Sequence, residues 1–154
     1  YSSAASDVYK RQGICGEAQF GGYEVVNTGA VSATDNQSTL GGIVGNTSIA
    51  VIYNVVNQGT VTATKAESAG GIVGKTSFGA LFGCQNFGTL NVTSTYTGGI
   101  AGWVGNYTVA NYCFNGGTIN DSGNRSTGGI IGEAGDAREW TGMDIADVLS
   151  ARQK

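Results

Sequence analysis

The feature that most constrains this chain is a short motif, Gly-Ile-x-Gly, that returns at a nearly constant interval. It stands at Gly13-Ile14-Cys15-Gly16, Gly42-Ile43-Val44-Gly45, Gly71-Ile72-Val73-Gly74, Gly99-Ile100-Ala101-Gly102 and Gly129-Ile130-Ile131-Gly132, with starts 29, 29, 28 and 30 residues apart. A second motif, Asn-x-Gly-x-apolar, keeps the same phase at Asn27/Gly29/Val31, Asn57/Gly59/Val61, Asn86/Gly88/Leu90 and Asn115/Gly117/Ile119. Two motifs that share one period mark a repeat architecture, in which each unit buries its apolar face only by stacking on its neighbours.

Within each repeat the residues favour strands. Alternating runs such as Thr60-Val61-Thr62-Ala63-Thr64 and Thr89-Leu90-Asn91-Val92-Thr93 follow the asparagine, with β-branched residues at period two. Residues 23–26, 53–56, 82–85 and 111–114, which precede the asparagine, also read as strands. Gly-Ile-Val-Gly reads as a third strand, and the polar stretches 35–39 and 65–68 read as turns. The expected fold is all-β, a parallel β-solenoid (β-helix) of about four 29-residue repeats. Val31/Val61/Leu90/Ile119 and Ile43/Ile72/Ile100/Ile130 would form ladders along its interior. A sandwich of repeated hairpins is the rival arrangement. The structural repeat positions are Asn27, Asn57, Asn86, Asn115, Gly42, Gly71, Gly99 and Gly129; asparagine suits left-handed turns, and stacked amides can bond between coils.

Residues 13–135 carry the repeats, and 136–154 form a capping region. There Thr141-Gly-Met-Asp144 fits a capping box, and Ile145, Val148 and Leu149 share one helical face, so a short C-terminal α-helix is expected over about 142–153. Cys84 and Cys113 stand where Val25 and Val55 stand in earlier copies, which makes them small buried apolar residues in adjacent coils. Whether they pair is left open.

Composition narrows the chemistry. The chain has 154 residues, 27 of them glycine, with no proline or histidine, a net charge of −3 and only 12% charged residues. The lack of histidine excludes Ser-His-Asp triads and histidine-bound zinc. There is no basic footprint for a nucleic-acid partner and no apolar run long enough to be a membrane span. Ala69-Gly-Gly-Ile-Val-Gly-Lys75-Thr76 falls one glycine short of a phosphate-binding loop and reads as a by-product of the repeat. Paired carboxylates are conceivable only around Glu133, Asp136 and Glu139, where solvated end residues are the simpler reading. Thr60, Thr62 and Thr64 face counterparts such as Ala30, Ser32, Asn91 and Asn120, so a regular threonine array for ice binding is not expected. No catalytic residue, cofactor or metal site is expected.

Residues 2–12, Ser-Ser-Ala-Ala-Ser-Asp-Val-Tyr-Lys-Arg-Gln, resemble a sequencing adapter translated in frame. The first copy of the repeat begins Gln12-Gly13 where every later copy begins Gly-Gly, so residues 1–12 are expected to be a foreign, disordered segment. The segment between 13 and 132 resembles the GLUG-motif repeats of bacterial surface proteins, with isoleucine where that family's name has leucine. The resemblance implies a secreted or cell-surface location and an adhesin-like part of a larger bacterial protein. It implies a non-enzymatic stalk or binding surface for glycans or for host or bacterial surface proteins. The alternative is a noncatalytic accessory module of a secreted protease or glycan-active enzyme. Contacts are expected at 35–39, 65–68 and 124–127; oligomeric state is left open.

Overall fold

The structure is a computed structural model and describes residues 10–12, 15–17, 20–34, 38–105, 107–123 and 125–135, with side chains described from residue 24 onward. Every regular element among the described residues is a strand, and every strand pairing is parallel. The described residues form an all-β solenoid of about four turns, as the periodicity demands. One full coil shows the plan. Val61–Gly70 lies in a first long sheet, Val73–Phe82 in a second, and Gln85–Asn86 in a short third sheet. Leu90–Gly98 then begins the next coil in the first sheet.

The coils stack in register. Val31, Val61, Leu90 and Ile119 are successive partners in the first sheet. Ile43, Ile72, Ile100 and Ile130 form a second column, linked by backbone bonds of 2.9–3.0 Å from each N–H to the carbonyl of the next. Ile43, Ile72 and Ile100 are completely buried, as are Ile52, Leu81 and Leu90. Both ladders expected from the sequence are therefore present. They hold because parallel in-register pairing places like beside like in every coil.

Several local expectations need correction. Residues 23–26, 53–56, 82–85 and 111–114 do not extend as strands but turn a corner. Glu24, Asn54, Gly83 and Tyr112 occupy one column there, with φ of 52°, 53°, 62° and 53°. A left-handed residue ends the long strand and redirects the chain into the short sheet. Residues 65–68 are not a turn: the strand Val61–Gly70 runs through them. It accommodates one extra residue as a bulge, with Val92 opposite Ala63 but Ser94 opposite Ala66, so Thr64 and Lys65 both point outward. The serine that made this stretch look turn-like faces inward and finds a partner. Ser68 is fully buried and donates to the Gly74 carbonyl at 2.5 Å, across to the second sheet. The equivalent strand Ser38–Gly41 takes in the end of the 35–39 stretch, of which 35–37 lie outside the described residues. Gly-Ile-Val-Gly is a bend followed by a strand that starts at Val44 or Val73.

At the N-terminal side, Lys10–Gln12 forms a strand paired with Thr39, Leu40 and Gly41. The segment expected to be disordered thus contributes its last three residues to the first sheet. Backbone pairing at an open strand edge asks for no particular side chains, so this placement is indifferent to the origin of the residues. Residues 1–9, and the expected helix with the rest of 136–154, lie outside the described residues.

Candidate functional site

The asparagine column forms a continuous polar array through the described coils. Asn27 Nδ2 donates to Asn57 Oδ1 at 2.9 Å, Asn57 Nδ2 to Asn86 Oδ1 at 2.8 Å, and Asn86 Nδ2 to Asn115 Oδ1 at 2.9 Å. Each amide also closes its own turn. The Gly59 N–H donates to Asn57 Oδ1 at 3.2 Å, and Asn57 Nδ2 donates to the Gly59 carbonyl at 2.9 Å. The repeat glycines are shaped around this column. A Cβ on Gly42 would lie 2.5 Å from Asn57 Cγ, and one on Gly71 or Gly99 would lie 2.4 Å from the Cγ of Asn86 or Asn115. The two sequence motifs keep phase because they touch. Asn57 and Asn86 are wholly buried, so the inner part of the column is a structural spine, with Asn115 half-buried at its end.

The other sequence candidates separate in the same way. Lys75, the lysine of the near phosphate loop, bonds Glu67 at 2.8 Å and lies 5.2 Å from the centre of the Trp103 ring, while Thr76 is buried. Cys84 and Cys113 are both thiols, with no disulfide between them. Cys84 is buried beside the Ile52 carbonyl at 3.8 Å, and half-buried Cys113 lies 3.4 Å from the Leu81 carbonyl. The hydrogen bond with Cys113, together with burial, pushes the Cys84 thiol far up, so it stays protonated. Glu133 accepts from Ser126 Oγ at 2.9 Å; Asp136 and Glu139 lie outside the described residues.

A recess does form on the outer face of the first sheet, at the bulge. Two adjoining hollows of about 730 and 490 Å³ share Thr93 and run across the coils as one trough. The smaller hollow is lined by Thr62, Thr64, Asn91, Asn120 and Ser122 among others, and the larger by Lys65, Glu67, Thr95 and Arg125. The rungs are tied together by Thr93 and Ser122 at 2.6 Å and by Asn120 Nδ2 donating to Asn91 Oδ1 at 2.8 Å. Two of the expected contact stretches, 65–68 and 124–127, thus meet through Lys65, Glu67 and Arg125, although they lie two coils apart. Residues 35–37 and 124 lie outside the described residues. The trough itself was not visible in the sequence. Its one signal was the extra residue between Ala63 and Ala66 relative to the next copy.

No family model, curated protein or solved structure matches the chain. Among the described residues, no helix is long and apolar enough to cross a membrane.

Proposed function

We propose that this chain is a non-enzymatic, extracellular repeat module that serves as an adhesin-like stalk or binding surface of a bacterial surface protein. The observation that carries the reading is the division of labour between inward and outward positions. Inward columns repeat from coil to coil, as in Val31/Val61/Leu90 and Asn27/Asn57/Asn86. Outward positions in the same strands vary, as in Ser32/Thr62/Asn91 and Lys75/Trp103/Glu133. A stack built this way holds a rigid frame while its surface is free to change, which suits multivalent weak contact.

The test is to immobilise the chain and pass plant, host and microbial glycans and extracellular-matrix proteins over it, scoring retention and cleavage products together. Retention without new reducing ends or peptide fragments is the expected result. Release of sugars or peptides in proportion to the chain would overturn the non-enzymatic reading, and failure to retain any of them would overturn the binding reading.

A further inference from the structure

We infer that the trough on the first sheet binds an extended, carboxylated polysaccharide lying along the solenoid axis. This rests on the reading of the chain as a binding surface and adds the site and the ligand class. The chain as a whole is acidic, with a net charge of −3. Yet Lys65 and Arg125, both exposed in the trough, make no ion pair among the described residues, while the charge of Glu67 is taken up by Lys75 at 2.8 Å. Two uncompensated cations therefore border a recess of hydroxyls and amides. The other carboxylate of the lining, Asp121, stands in the inward column and is engaged by the Gly123 and Ser94 N–H groups and by Thr127 Oγ1, which leaves Lys65 and Arg125 to meet a ligand's carboxylates.

The lining contains no aromatic ring. Nucleobases and apolar peptide anchors would find no stacking platform or deep pocket here. What the trough offers instead is rows of short polar groups. Asn91 and Asn120 spend one bond on each other, leaving the Asn91 amino group and the Asn120 carbonyl with unused hydrogen-bonding capacity among the described residues. Such mixed donors and acceptors match vicinal hydroxyls.

Successive coils advance by about 4.8 Å, close to the length of one sugar unit in an extended chain. Lys65 belongs to the strand Val61–Gly70, and Arg125 directly precedes the strand Ser126–Gly128, which lies two coils further on. Their separation along the axis is therefore about 10 Å. A polymer with a carboxylate on every second sugar would meet both cations in register.

The probe is a hyaluronan octasaccharide, which has that pattern, with its carboxyl-reduced neutral form and a glutamate oligomer of equal charge as comparisons. The full chain is titrated by calorimetry beside Lys65→Ser, Arg125→Ser, the double variant, and Ser48→Ala on the second sheet. We expect the octasaccharide to bind the wild type and Ser48→Ala alike. Binding should weaken about fivefold for each lost cation, and about tenfold or more in the double variant. The reduced sugar should bind the wild type and the double variant equally weakly. All the substituted side chains are exposed, so unchanged thermal midpoints should accompany these losses. Equal binding of the octasaccharide by wild type and double variant would overturn the trough assignment while leaving the chain a binding module. A glutamate oligomer that binds as tightly as the sugar would overturn the polysaccharide assignment. No binding of the octasaccharide overturns this inference alone, because the retention panel decides the broader reading separately.

Discussion

Asn57 makes four hydrogen bonds through one side chain: to both backbone groups of Gly59, to Asn27 below and to Asn86 above. Truncation to alanine leaves buried partners in three coils unsatisfied. We expect Asn57→Ala to cost about 2–4 kcal/mol, read from urea midpoints. Asn27→Ala, at the 7% exposed end of the column, should cost visibly less. Asp121 presents a different residue-scale case. It occupies the inward column of Ala33, Ala63 and Val92, where a carboxylate has no apolar rationale. Partial burial pushes its carboxyl up, but this is outweighed by bonds from the Gly123 N–H at 2.8 Å, Thr127 Oγ1 at 2.7 Å and the Ser94 N–H at 3.4 Å, with Thr97 adding to them. The net effect holds it below the ordinary carboxylate range. A pKa lower in the folded than in the unfolded chain stabilises the fold above the unfolded value of about 3.9, and that contribution is lost as pH falls through the folded value. Between pH 5 and 2, Asp121→Asn should therefore lose less stability than the wild type, as followed by thermal midpoints.

At the scale of the element, the corner between the two long sheets leaves no room for an added side-chain atom. A Cβ on Gly71 would sit 2.2 Å from the Gly99 carbonyl oxygen as well as against Asn86, whereas one on Gly29 meets only Asn27 Oδ1 at 3.5 Å. Gly71→Ala should cost more than about 3 kcal/mol or prevent folding, while Gly29→Ala should stay within about 0.5 kcal/mol; expression yield and thermal midpoints separate the two. These contrasts explain which features are legible in the sequence. Gly42, Gly71 and Gly99 were legible because the same steric demand recurs in every coil and so appears as a period. The corner at Glu24/Asn54/Gly83/Tyr112 was not, since four different residues adopt one left-handed conformation and leave no common letter. The strand through Lys65 was also misread. Its inward serine is satisfied by a carbonyl of the opposite sheet, a partner 6 residues away that composition does not announce. The trough depends on that bulge, and so it was hidden as well.

For the molecule as a whole, stability is a sum of coil-on-coil interfaces, so opening should begin at the outer coils and spread inward. The two described thiols report on this. Cys84 is completely buried and belongs to an inner coil; Cys113 is half-buried and stacked beyond it. Under rising urea, alkylation mapped by mass spectrometry should reach Cys113 before Cys84, and simultaneous labelling would show that the stack opens all at once. The amide spine gives the molecule one further property. Each Asn points its amino group the same way, from Asn27 toward Asn115, so the side-chain dipoles align head to tail like compass needles in a row. Turning one needle would set donor against donor on one side and acceptor against acceptor on the other, so none can reverse alone. The solenoid is therefore a vector rather than a symmetric rod: a further coil continues the row only in the same sense, and two such stacks can join in series only head to tail.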